Sequence, residues 1–381
     1  MSTISISTPP TRFAALAESK AHHPKDGKKA FVNPWPSYAE PKIWAFLKWI
    51  FLGKLTGTRT DPDTSNPPRV VQPTFLPTRA TSALRATWLG HACYYVEFPG
   101  GMRVLFDPVF TQRCSPFSWL GPKRYTEMPC QIEDIPKIDA VVISHSHYDH
   151  MSHPTLVKIR ERHENVHFWV PLGNKPWFDR EGFKNVTELD WWEERDMSIT
   201  LSTEDAGKEG IKQIEARISC LPCQHTSGRS AFDRGHTLWA SWAVSSGGQN
   251  VYFGGDSGYR SVPQLTDGEN DYGEKYASLP HCPAFRQIGE SCGPFDLGLL
   301  PIGAYSPRHL MSPMHCNPTD AVNIFQDTKC NRAMGIHHGT WILTQEEILE
   351  PPQLLKAALR SKGIDDEGVF DVCDIGESRE F

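Results

Sequence analysis

The hexapeptide His145-Ser146-His147-Tyr148-Asp149-His150 concentrates three imidazoles and a carboxylate in one short stretch. It follows the apolar run Asp139-Ala140-Val141-Val142-Ile143, which reads as a strand. Side chains alternate along extended backbone, so His145, His147 and Asp149 project to one side and His150 joins from the turn. Such a convergence is costly to keep unless a cation organises it. Imidazole with carboxylate is a zinc donor set, although iron and manganese also accept it. Among chains with 16 histidines, this spacing arises by chance in roughly one or two per thousand.

A complete centre needs more ligands, expected at the ends of later strands. His225 follows the β-prone run 218–224, Asp256 follows Val251-Tyr252-Phe253-Gly254-Gly255, and His337 follows the run 333–336. The positioning elements read as short strands at 86–98, 102–107, 139–146, 166–172, 217–224, 239–246, 250–256, 296–303 and 332–338. Helical patterns fall at 153–163, 317–327 and 344–361, with Asn317-Pro318 as a cap and first turn. Strands in two batches, each followed by helices, imply an α/β fold of two packed sheets with helices outside.

Residues 1–30 read as a disordered N-terminal tail, 31–84 as a wrapping segment, and 85–381 as the main domain. Ten of the thirteen residues in 43–55 are apolar, short of the ~20 that span a bilayer. That leaves a buried helix or one lying in a membrane interface, with Trp44, Phe46, Trp49 and Phe51 as a wedge beside Lys48 and Lys54. The balance of 39 basic against 45 acidic residues, net −6, without a basic stretch, argues against a nucleic-acid partner. An apolar fraction of 39% excludes wholesale disorder. Ten cysteines lack a framework spacing and no secretory segment is visible, so an intracellular, reduced protein that is not secreted is expected. The lone Cys220-Leu221-Pro222-Cys223 reads as part of a strand, and Trp191-Trp192 as core.

The hexapeptide with a later His, Asp and His resembles the metallo-β-lactamase superfamily, whose fold is an αββα sandwich with a dinuclear metal site. More specific segments are similar to the N-acylphosphatidylethanolamine-hydrolysing phospholipase D family. They include Phe31-Val32-Asn33-Pro34-Trp35-Pro36, Trp88-Leu89-Gly90-His91-Ala92, Gly121-Pro122-Lys123-Arg124, Glu188 to Glu194, and Pro301-Ile302-Gly303-Ala304-Tyr305. The resemblance implies two zinc ions per chain: one on His145, His147 and His225, the other on Asp149, His150 and His337, with Asp256 bridging. It places Asp107 behind the ligands, orienting them, while His91 reads either as a further residue behind the ligands or as a core histidine. A metal-bridging hydroxide, with Asp149 assisting, would cleave the phosphodiester to N-acylethanolamine and phosphatidic acid. His315 is the candidate general acid or substrate contact, with Tyr305 and Arg308 also facing substrate. The implied partners are a phospholipid substrate and a peripheral membrane surface, with homodimerisation expected from the family. Hydrolysis of another ester (a lactone or phosphoester) and a metal-stabilised non-catalytic binding protein are the competing readings. Residues 260–281 depart from the family pattern as an acidic insertion, either a lid or a solvated loop.

Overall fold

Runs of β-branched and aromatic residues pair into two mixed sheets. The computed structural model describes residues 2–25, 27–53, 55–57, 59–202, 211–230, 232–266 and 269–381, without the side chains of 43, 47 and 51. The second sheet, in spatial order, is β1 (Thr3–Ser7), β8 (Glu193–Thr200), β9 (Gln213–Leu221), β10 (Ser241–Ser246), β11 (Gln249–Phe253), β12 (Phe295–Pro301), β13 (Cys330–Ile336) and β14 (Phe370–Asp371). The first sheet places β15 (Ser378–Glu380) beside β2 (Arg85–Gly90), then β3 (Cys93–Glu97), β4 (Arg103–Phe106), β5 (Ala140–Val142), β6 (His167–Pro171) and β7 (Val186–Leu189).

Strands β4 to β7 pair in parallel, as do β11 to β14. Parallel strands bury both faces, and their residues alternate between two cores. Val104, Phe106, Ala140, Val142 and Trp169 point inward against Trp242, Val244, Val251, Phe253 and Leu299 of the opposite sheet. Phe106 and Phe253 meet across it with ring centroids 4.8 Å apart. Leu105, Val141 and Phe168 point outward under Leu156 and Ile159 of the helix His153–Arg162. Helices Pro318–Asp327 and Glu350–Ser361 cover the other sheet, giving the αββα sandwich. The first of these starts as expected, the Asn317 side chain accepting from the Asp320 amide at 3.0 Å.

The N-terminal residues differ from expectation. The strand Thr3–Ser7 pairs antiparallel with β8, because Ile4 and Ile6 alternate with polar residues and complete a sheet edge. Arg12 then pairs with Glu194, and Lys20, His22 and His23 all bond Asp190. A disordered tail over 1–30 is therefore corrected. Trp191 sits in the core beneath this segment, stacked on His22 at 4.2 Å.

The helix Ile43–Leu52 corrects the aromatic wedge. Trp49 is buried against Leu310 and Met311, with its Nε1 donating to Gln345 Oε1 at 3.0 Å and Arg59 stacked 4.4 Å over its ring. Phe46 is half-buried in the same cluster, and Trp44 alone of the described three is exposed, at 79%. The Phe51 side chain and Lys54 lie outside the described residues. No described helix is long and apolar enough to cross a membrane.

Candidate metal centre

The centre forms along one edge of the sandwich, where strands end. Asp107 follows β4, the hexapeptide follows β5, His225 follows β9, Asp256 follows β11 and His337 follows β13. Carboxyl ends of parallel strands present successive loops to one crevice, which is why residues far apart in sequence meet there. The approach is tight. At Gly255 (φ +56°) an added Cβ would lie 2.7 Å from the Ser144 Cβ. Asp107, His91 and His337 adopt φ of 38°, 52° and 64°, conformations costing about 1 kcal/mol or more each that the surrounding packing must impose.

One oxygen organises the geometry. Asp256 Oδ2 lies 3.0 Å from His337 Nε2, 3.2 Å from His150 Nε2, 3.6 Å from His225 Nε2 and 3.8 Å from His145 Nε2. On one side His147 Nδ1 is 2.8 Å from His145 Nε2 and 3.3 Å from His225 Nε2. On the other, Asp149 Oδ2 is 3.4 Å from His150 Nε2 and 3.5 Å from His337 Nε2. Donors bound tetrahedrally at the ~2.0–2.1 Å of zinc–nitrogen bonds stand about 3.3 Å apart, the scale seen here. His150 Nε2, His337 Nε2 and Asp256 Oδ1 are buried without a hydrogen-bond partner among the described residues. Orphaned donors converging on a carboxylate fit cations and are hard to reconcile with a structural hydrogen-bond cluster. Asp256 Oδ2 therefore lies between two groups of donors, His145–His147–His225 and Asp149–His150–His337.

The other ring nitrogens are tied from behind. His150 Nδ1 donates to Asp107 Oδ2 at 2.6 Å, and His225 Nδ1 donates to the Met314 carbonyl at 2.9 Å. His145 Nδ1 meets the Ser144 hydroxyl at 2.8 Å, which in turn bonds Asp107. Each tether fixes the tautomer and aims Nε2 into the centre. His91 Nε2 donates to Asp149 Oδ2 at 3.1 Å and its ring lies against His337 and Trp341.

Burial, reinforced by neighbouring imidazoles, pushes His145 and His225 well below the usual histidine range, leaving neutral rings that can ligate. Burial also opposes charge on His150 and His337, but the surrounding carboxylates outweigh it, raising His150 well above the ordinary value and His337 to about 9. Burial would raise Asp149 and Asp256, yet the same histidines hold both well below the usual carboxylate range.

His315 stands at the rim, its Nδ1 3.8 Å from Asp256 Oδ2 and its ring 5.1 Å from that of His225. Tyr305 and Arg308 are corrected. The Tyr305 hydroxyl donates to Glu350 Oε1 at 2.6 Å, and Arg308 bonds Asp271 and Asp320 at 2.8 Å each. A motif match conveys position, whereas direction depends on partners, and both side chains are engaged by carboxylates of the chain itself. Ser144, the Met314 carbonyl and Trp341 were missed. Only Ser144, directly before the hexapeptide, had a sequence signal. Cys220 and Cys223 are buried free thiols.

Fold and site together define a metal-dependent hydrolase of the αββα class. The Beta-lactamase superfamily domain model matches residues 102–338. A Caenorhabditis elegans protein, N-acyl-phosphatidylethanolamine-hydrolyzing phospholipase D 1, is 36% identical over 302 residues, covering 78% of this chain and 75% of that one. A Saccharomyces cerevisiae protein, N-acyl-phosphatidylethanolamine-hydrolyzing phospholipase D, mitochondrial, is 33% identical over 282 residues, covering 74% of this chain and 53% of that longer one. The solved structure of Igni18, a metallo hydrolase from Ignicoccus hospitalis, superposes with a TM-score of 0.50 at 19% identity, covering 79% of this chain and 99% of that one. The chain belongs to the metallo-β-lactamase superfamily and, within it, to the family of these phospholipase D relatives.

Proposed function

We propose that the chain is a dizinc phosphodiesterase that hydrolyses N-acylphosphatidylethanolamine to N-acylethanolamine and phosphatidic acid. The observation that carries this reading is the single oxygen Asp256 Oδ2 set between two groups of imidazole donors. The substrate follows from the relatives' printed activity. Bound zinc supplies an acidified water and positive charge against the phosphodiester oxygens.

The chain's own residues do the rest. Asp107, Ser144 and the Met314 carbonyl hold the rings of His150, His145 and His225 with Nδ1 turned outward and Nε2 turned into the centre, so that metal binding at His150 displaces the Nε2 proton that the neighbouring carboxylates hold there. Asp149, its Oδ2 braced by His91, orients the attacking water. Water oxygen joins phosphorus as the bond to the ethanolamine oxygen breaks, and that oxygen takes a proton. Burial lowers His315 to about 4, so at neutral pH it is an uncharged ring that offers one N–H toward the departing oxygen.

The test is turnover of N-acylphosphatidylethanolamine in mixed micelles by the full chain, with metal content measured and Asp149→Asn as control. Release of both products, abolished in the control and by chelation, is expected. Two bound metals with the lipid untouched would overturn the substrate and leave the superfamily intact.

A further inference from the structure

Three large apolar side chains stand together in solvent on one hairpin, Phe117 at 49% exposure, Trp119 at 71% and Leu120 at 52%. The Phe117 and Trp119 rings are 5.5 Å apart, so the patch is continuous. Its base is closed. Arg113 and Lys123 face each other as a bridge, and the Arg113 guanidinium donates to the Gly121 carbonyl. The apolar tip is thus held out on a built loop. Residues 108–126 contain no acidic residue, in a chain of net charge −6, and present Lys123 exposed and Arg113 half-buried, while Arg124 is buried against Trp341.

The hairpin also borders the centre. Pro116 and Phe117 line a cleft of about 610 Å³ whose wall includes Tyr148 of the metal-bearing hexapeptide and Arg229. The Arg229 guanidinium stacks 4.0 Å over the Tyr148 ring, and the loop that carries it exposes Phe232 to 91%. The hairpin tip therefore stands at the cleft that reaches Tyr148, and Phe232 is exposed three residues beyond the Arg229 of its wall.

We propose that the hairpin 113–123, together with Phe232, is the surface through which the molecule docks on an anionic phospholipid bilayer. This rests on the lipid-substrate reading above and replaces the helix Ile43–Leu52 as the wedge. Aromatic and leucine side chains enter the headgroup boundary, while lysine and arginine stay with anionic headgroups. A stable protein partner needs about 800 Å² on each side, more than four exposed side chains present. A bilayer needs only the apolar tip and its cations.

The experiment is flotation of the full chain with phosphatidylcholine vesicles containing phosphatidylglycerol. It compares the unaltered protein, the triple variant Phe117→Ser/Trp119→Ser/Leu120→Ser, Lys123→Glu and Trp44→Ser. The triple variant is expected to lose at least tenfold in bound fraction and Trp44→Ser less than twofold. Lys123→Glu is expected to weaken binding only when phosphatidylglycerol is present. All three altered apolar side chains of the triple variant are exposed, so circular dichroism and bound metal content should stay at the unaltered level. Equal flotation of the triple variant, or no flotation of the unaltered protein, would overturn the docking surface. Flotation through the hairpin without hydrolysis of any vesicle lipid would uphold docking while removing the lipid substrate.

Discussion

Asp107 bonds His150 and Ser144 at once, so one buried carboxylate sets two ligand rings, directly for His150 and through a hydroxyl for His145. Asp107→Asn keeps the volume and one acceptor but introduces an N–H that cannot serve both partners. Metal affinity is expected to fall roughly 10–100-fold, measured by competition with a chromophoric chelator. An unchanged affinity would mean that His150 is aimed by packing alone. At this scale the hexapeptide, His225, Asp256 and His337 were legible because each ends a β-prone run. Tyr305 and Arg308 were not, since nothing in their local sequence tells that Glu350, Asp271 and Asp320 take their polar ends. The Met314 carbonyl could not be read at all, because every residue carries one.

The N-terminal strand shows what an element adds. Thr3–Ser7 has its alternation but only five residues, and Ser and Thr made it resemble a tail. Its anchor lies further on, where Asp190 accepts from His22 at 2.7 Å and from His23 at 2.7 Å. Burial would raise the Asp190 carboxyl, but hydrogen bonds from His22, Lys20 and His23 hold it below the usual range. Burial lowers His22, with Asp190 only partly compensating. For a group whose folded pKa is depressed, the contribution is complete above the unfolded value and is lost as pH falls through the folded one. For His22 that loss begins near pH 6.5 and for Asp190 near 3.9. Amide hydrogen exchange in residues 3–7 should therefore quicken, after correction for intrinsic rates, between pH 7 and pH 5. His22→Gln, which keeps a donor and removes the titration, should flatten that dependence. A wild-type profile already flat would show that the strand is held by pairing with β8 alone. Strands β8 and β15 escaped notice for a related reason. Charged residues interrupt both, with Glu194 of β8 buried only because Arg12 and Ser219 bond it, so apolar runs do not mark them.

The insertion couples distant parts of the molecule. Among its described residues, Arg260 and Asp271 join Arg308 and Asp320 in one buried network, and the Tyr272 hydroxyl donates to Asn317 Oδ1 at 2.6 Å. The described part of the insertion is thus fastened to the start of the helix Pro318–Asp327, just past His315, which fits neither a lid nor a free loop. Arg308→Ala would leave two buried carboxylates short of a cation. A loss of about 3–5 kcal/mol in urea unfolding is expected, with KM of the remaining folded protein unchanged. A raised KM without lost stability would restore Arg308 to substrate.

Metal should act on the same global scale, because the centre draws its ligands from the ends of β5, β9, β11 and β13 and so bridges both sheets. Without cations, His150 and His337 draw protons to offset Asp149 and Asp256, and the buried rings His145 and His225 must be accommodated uncharged beside them. A ligand bound only by the folded state contributes roughly 4 kcal/mol at a free concentration a thousand times its Kd. Chelated protein should therefore melt several degrees lower, and added zinc should restore the original midpoint. Magnesium should not, since it prefers oxygen donors and keeps its waters. Asp256→Asn should blunt the zinc response by more than half, because both donor groups share that carboxylate. A melting point indifferent to chelation would mean that the two sheets hold the histidines together without a cation.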